Sequence, residues 1–219
     1  MNAPVAPPDA LLLITPGYPY CPTVLRGLND LVETGHVGRL EVIDIEARPE
    51  IARTLGAHSV PWLQIGPFQL EGLHTPAELK RWVERSHTPQ GMAEYFRELL
   101  KAGKLPQAIT AITQDSVRLE ALLLLLTDRE TDLHVRVGIG AVLEEFAGAA
   151  LARHLDRLAA LTQAKDAHIR GDACHYLALT HDPKAISYLE CMLNDPEPQV
   201  RELAADGLAA LGRSPASCG

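Results

Sequence analysis

The rhythm of hydrophobic and polar positions changes once along the chain. Between residues 10 and 86, short apolar runs alternate with helical spacing. Leu11-Leu12-Leu13-Ile14 is a continuous apolar run of the kind a buried parallel strand needs. Val24, Leu25, Leu28, Leu31 and Val32 then recur at helical spacing, and Gly35 and Gly38 end that helix. Residues 40–45 read as a second strand, and residues 49–55 as a short helix stopped by Gly56. Residues 62–65 and 68–70 form two strands around a tight Gly66-Pro67 turn. Thr75-Pro76-Ala77-Glu78 opens a last helix, with Thr75 as N-cap, Pro76 at the first helical position and Glu78 completing a capping box. The order is β-α-β-α-β-β-α.

From Pro89 onward no strand pattern recurs. The rest reads as helices of roughly ten to sixteen residues, separated by breaks near Gly103, Asp128, Gly148, Asp166, Asp182 and Pro196. Ser86-His87-Thr88-Pro89 is a polar stretch before a proline, where a helix has to end. The expected division is therefore a flexible tail at 1–9, an α/β domain at 10–87, an all-α domain at 88–213 and a second flexible tail at 214–219.

The helical half repeats itself. Asp132-Leu133-His134-Val135-Arg136-Val137-Gly138 is followed by Asp166-Ala167-His168-Ile169-Arg170-Gly171. A third copy runs from Asp195 through Val200-Arg201 to Ala204. Its arginines lie 34 and 31 residues apart (136, 170 and 201). A period near thirty means stacked helical hairpins. In such a stack the aspartate is expected to cap the helix, the β-branched residue to pack inward, and the small residues to let helices approach. Residues 114–121, with Val117-Arg118, read as a degenerate earlier copy, and residues 90–113 as a helical pair leading into the stack. The last helix, 200–211, carries Leu203, Ala204, Leu208 and Leu211 at helical spacing and is expected to cover the preceding pair. This part resembles HEAT repeats, of the short kind first recognised in bilin lyases. The resemblance covers about residues 130–212 and implies a scaffold. It does not carry bilin-lyase activity with it.

Composition narrows the function classes. The 219 residues are 47% hydrophobic and 22% charged, with a formal charge of −8. Such an acidic chain is a poor binder of nucleic acid or anionic lipid. The longest strongly apolar run, 121–126, falls far short of the ~20 residues of a membrane span, and no signal-peptide core is seen. The four cysteines, Cys21, Cys174, Cys191 and Cys218, are scattered and form no CxxC pair, which suits reduced thiols in a cytoplasmic protein. The sequence has no phosphate-binding GxxxxGKS loop, no HExxH and no GxSxG motif. No cofactor is expected.

The first half carries Thr15-Pro16-Gly17-Tyr18-Pro19-Tyr20-Cys21-Pro22 after its first strand and Ser59-Val60-Pro61-Trp62 before its third. With these motifs, residues 10–86 resemble the thioredoxin superfamily, closest to glutaredoxins. The resemblance implies an α/β thioredoxin-like fold, a CPYC motif at a strand-to-helix turn, and a cis proline at Pro61 opposite it. Aligned as Tyr18-Pro19-Tyr20-Cys21, the motif has tyrosine in place of the nucleophilic first cysteine, and Cys21 is the leftover resolving thiol. Such a domain cannot form the intramolecular disulfide of dithiol exchange. A rival alignment starts the motif at Cys21-Pro22-Thr23-Val24 and makes Cys21 a monothiol nucleophile, with Thr23 as a hydrogen-bond donor. A third reading leaves Cys21 as a small buried residue at a helix start.

Two function classes follow. The leading one is a non-catalytic protein-binding adaptor, with a redox protein as the candidate partner and Tyr18, Tyr20, Val60, Pro61 and Trp62 as the partner-recognition residues. In that reading Tyr18, Tyr20 and Trp62 form an exposed aromatic patch; the bland alternative makes Trp62 core. The other class is a monothiol thiol–disulfide oxidoreductase using Cys21. His168, Asp172 and His175 share one helix face beside Cys174. A solvated polar face is the expected reading there, and no metal site is assigned. Cys191 is expected to be partly exposed, and Cys218 to be an incidental thiol.

Overall fold

The structure is a computed structural model that describes residues 6–128 and 131–213. It forms two compact units, 1–92 and 93–219.

In the first unit four strands form one sheet in the order β2-β1-β3-β4: β1 (Ala10–Ile14), β2 (Leu40–Asp44), β3 (Trp62–Ile65) and β4 (Phe68–Glu71). β1 runs parallel to β2 through the crossover helix α1 (Cys21–Glu33). β3 is antiparallel to both β1 and β4. Gly66, at φ 52°, lies in the two-residue turn that sets Ile65 opposite Phe68. Strand alternation sends neighbouring side chains to opposite faces. Leu13, Ile43 and Trp62 point to one face, where Ile51, Ala52 and Leu55 of α2 (Pro49–Leu55) cover them. On the other face α1 packs against α3 (Pro76–Arg85), and Phe68 meets Trp82 edge-on at 5.0 Å. A Cβ on Gly27 would come within 2.8 Å of Leu79 Cδ1, so the glycine permits the close α1–α3 approach.

α3 opens with the expected capping box: Thr75 Oγ1 accepts from Glu78 N at 3.3 Å, and Glu78 Oε2 accepts from Thr75 N at 2.8 Å. Those bonds to Thr75 hold the Glu78 carboxyl below the usual carboxylate range. The expected tail at 1–9 is shorter where it is described. The carbonyls of Pro8 and Asp9 accept from Gly38 N and Gly66 N at 3.0 Å each, so this stretch is already stitched to the sheet.

The second unit is helical throughout its described residues. α4 (Pro89–Lys101) and α5 (Leu105–Gln114) lead through a 3-10 turn (Ser116–Arg118) into α6 (Leu119–Thr127). α7 (Leu133–Glu145), α8 (Ala149–Ala152), α9 (Leu155–Leu161), α10 (Ala167–Leu179), α11 (Ala185–Met192) and α12 (Pro198–Ala210) follow. Several of these helices are shorter than ten residues, contrary to the expected lengths. The turn at 115–118 and the break at 153–154 fall between the breaks read near Gly103, Asp128, Gly148 and Asp166 and shorten the helices around them.

The repeat signature has a sharper meaning in space. Val135, Ile169 and Val200 are all buried, as expected, and the small residues sit where helices touch. A Cβ on Gly171 would lie 2.9 Å from Leu203 Cδ1, and one on Gly207 3.2 Å from Leu189 Cδ1. The aspartates behave differently from the expectation. Asp166 caps α10 by accepting from His168 N at 3.0 Å. Asp132 makes no side-chain cap bond, and Asp195 lies two residues ahead of the α12 N-cap position, Glu197.

Asp195 is buried and accepts from Arg170 Nε at 2.7 Å and Nη2 at 2.8 Å. Arg170 also donates to the Ala164 and Lys165 carbonyls just ahead of its own helix. Arg136 repeats the scheme with the Asp128 carbonyl and Asp172, and Arg201 with the Asp195 and Pro196 carbonyls. Each repeat arginine therefore ties its helix to the preceding loop, and Arg136 and Arg170 also reach an aspartate of the next repeat. In the degenerate copy, Arg118 donates to the Ala111 carbonyl, but Val117 is exposed.

Candidate functional site

The loop after β1 and the residue before β3 share one end of the sheet, because Leu13 pairs with Trp62 across the antiparallel ladder. Residues 15–20 turn there with Gly17 at φ 80°, and α1 starts at Cys21. Cys21 N donates to the Tyr18 carbonyl at 3.2 Å. The Val60–Pro61 peptide bond is cis. The Pro61 carbonyl accepts from Gly72 N at 2.8 Å.

The expected site residues separate into two groups. Tyr18 (41% exposed) and Tyr20 (47% exposed) lie on the surface, their rings edge-to-face at 5.6 Å. Trp62 is only 2% exposed; it is core, packed with Leu13 and Ile43, with Val60 partly buried against them. The three-ring surface is thus reduced to two tyrosines, because the strand register turns Trp62 inward. Cys21 is a free thiol and is only 4% exposed. An attacking thiolate needs access to an incoming disulfide, and this sulfur is covered.

The other cysteines divide similarly. Cys174 is fully buried, and that burial pushes its thiol up to about 11, so it is inert as a nucleophile at neutral pH. Cys191 is exposed. Cys218 lies outside the described residues.

The second unit holds a concavity that the sequence pattern did not reveal. A groove of about 730 Å³ runs between α7 and α10. Arg136 and Asp172 face each other across it at 3.4 Å, and His175 Nε2 stands 3.5 Å from Glu144 Oε1. Tyr176 is buried among its lining residues, beside Gly140. Burial raises the Asp172 carboxyl above its ordinary value, partly offset by Arg136 and the two histidines. His168, Asp172 and His175 do share a face, and both histidines are exposed there, as expected of a solvated polar face, while Asp172 and His175 also meet Arg136 and Glu144 of α7. Among the described residues no three His, Cys, Asp or Glu side chains converge to hold a metal ion. Leu133 (77% exposed) and Val137 (66% exposed), one turn apart on α7, rim the groove with apolar surface.

The expected histidine–aspartate face was legible from i, i+4, i+7 spacing; its partners on α7 were not. They come from a segment about thirty residues earlier in the chain. The repeat period itself was the available signal, since it sets position 136 beside position 172.

Among the described residues no helix is long and apolar enough to cross a membrane. No curated protein matches the chain. Residues 119–209, from α6 into α12 and including the groove, match the HEAT repeats family, whose stacked helices are protein-interaction scaffolds.

Proposed function

We propose that this protein works by binding another protein and carries out no thiol chemistry of its own. The carrying observation is the repeat region, whose α7 leaves Leu133 and Val137 exposed beside a groove. Adjacent large apolar side chains on a repeat surface suit a docking face.

The first unit is, in this reading, a thioredoxin-like domain that has lost its nucleophile. The strand order β2-β1-β3-β4, the cis Val60–Pro61 bond and the Tyr18-Pro19-Tyr20-Cys21 turn at one sheet end support it. Tyr18 stands in the nucleophile's place and cannot attack a disulfide. The buried Cys21 sulfur weighs against the monothiol alternative. Tyr18 and Tyr20, exposed at that sheet end, form a second contact surface, whereas Val60 packs partly against the core and Pro61 is buried. The division near residues 87–88 and a reducing, cytoplasmic setting for the free thiols complete the proposal.

The test is capture by the immobilised full chain from its own cells' extract. A partner should be retained in stoichiometric amount, equally by the wild type and by Cys21→Ser, and should elute without reductant. A partner held only as a mixed disulfide, released by dithiothreitol and lost in Cys21→Ser, would overturn the reading. So would the absence of any stoichiometric partner.

A further inference from the structure

The groove on the repeat unit has a chemistry that selects what lies in it. It does not stop at α7 and α10. His168 and Asp172 on α10 line it on one side and on the other line a smaller hollow of about 270 Å³ bounded by Glu197 and Leu203. The two hollows form one track across α7, α10 and α12. Four carboxylates line it, Glu144, Asp166, Asp172 and Glu197, against one guanidinium, Arg136. That guanidinium pairs with Asp172, so those two charges largely offset each other and the remaining carboxylates keep the lining net negative. At the α7 rim, Leu133 and Val137 lie about 6 Å apart along the helix axis (four residues at 1.5 Å each) and offer the apolar contact.

Resting on the scaffold reading above, we propose that this track binds a short basic, amphipathic segment of a partner protein. Its apolar side chains rest on Leu133 and Val137, and its Lys or Arg side chains face the carboxylates. The charge balance decides the class. Nucleic acid, phosphorylated peptide and anionic membrane all bring negative charge to a negative track and are repelled. A neutral apolar segment would cover Leu133 and Val137 but bring no charge to meet the acidic lining. A cationic segment satisfies both parts. The hollow at α10 accepts individual side chains, so an incoming segment lies along the rim and inserts them.

A random dodecamer peptide library panned against the full chain tests this. Enriched peptides should carry net positive charge and at least two apolar side chains. Their affinity should fall about tenfold in Leu133→Ser/Val137→Ser, which removes apolar contact without changing charge. Glu144→Lys, on an exposed position of the same rim, should weaken them by a similar factor through charge alone. Val117→Ser, an equally exposed valine outside the track, should leave binding unchanged and serves as control. The melting curve of each variant shows whether its fold is intact, and all four substituted positions are at the surface. Enrichment of acidic or uncharged peptides would overturn the proposal. So would no enrichment, or peptides that bind both rim variants as tightly as the wild type. If the track fails while the full chain still captures a stoichiometric partner from extract, the scaffold reading stands and the docking face lies elsewhere.

Discussion

Asp195 accepts both forks of Arg170 while its Oδ1 also accepts from Glu197 N, at 2.9 Å. Removing one partner of a buried charged pair leaves the other desolvated. Asp195→Asn should therefore cost about 3 kcal/mol, read as a lower melting temperature by helical circular dichroism. The pair also sets an acid limit. Arg170 holds the folded Asp195 carboxyl below its ordinary value. The stabilisation is complete above the unfolded carboxylate range, near pH ~4, and disappears as pH falls through the depressed folded value. Asp195→Asn should accordingly be less sensitive to acid over that window, and a variant with an unchanged acid limb would contradict the assignment. The sequence showed the recurring aspartates and arginines but assigned the aspartates to caps. One-dimensional spacing cannot separate a cap from an inter-repeat ion pair, since both place Asp near a helix start. Trp62 was ambiguous for a related reason. The residue after the proline is fixed by strand register to face α2, and register is set by pairing with β1, a partner about fifty residues away in sequence.

At the scale of elements, local chemistry was legible and close approaches were not. The Thr75–Glu78 box, the Gly66-Pro67 hairpin and the α1 termination by Gly35 (φ 74°) involve residues within a few positions of each other, so spacing alone exposed them. Gly91 gave no such signal. It sits in the first turn of α4, and a Cβ there would run into the Arg85 carbonyl oxygen. Because that obstacle is backbone, it cannot rotate aside. Gly91→Ala should destabilise the protein by about 2 kcal/mol or more, although alanine is the better helix former. A rise in melting temperature would mean that the end of α3 yields freely. Helix lengths were read too long in places. The 3-10 turn after Asp115, capped by Val117 N donating to Asp115 Oδ1 at 3.1 Å, interrupts a stretch whose apolar period hardly changes.

For the whole molecule, the sequence separated an α/β portion from an all-α repeat portion, because strand-like apolar runs stop before Pro89 and helical spacing with a repeat near thirty takes over. It could not show the α7–α10 track, whose two walls come from different repeats. Nor could it show whether Cys21 is reachable, since that depends on how the loop at 15–20 lies over the sheet end. The central claim is that function lies in binding surfaces and the remaining motif cysteine is a spectator. Reduction of insulin disulfides by the full chain, with glutathione supplied as reductant, measures this most directly. Wild type and Cys21→Ser should show the same rate, equal to the uncatalysed background. A rate in the wild type at least about tenfold above that of Cys21→Ser would make Cys21 a working nucleophile, worth ~1.4 kcal/mol or more of barrier lowering, and would contradict the account.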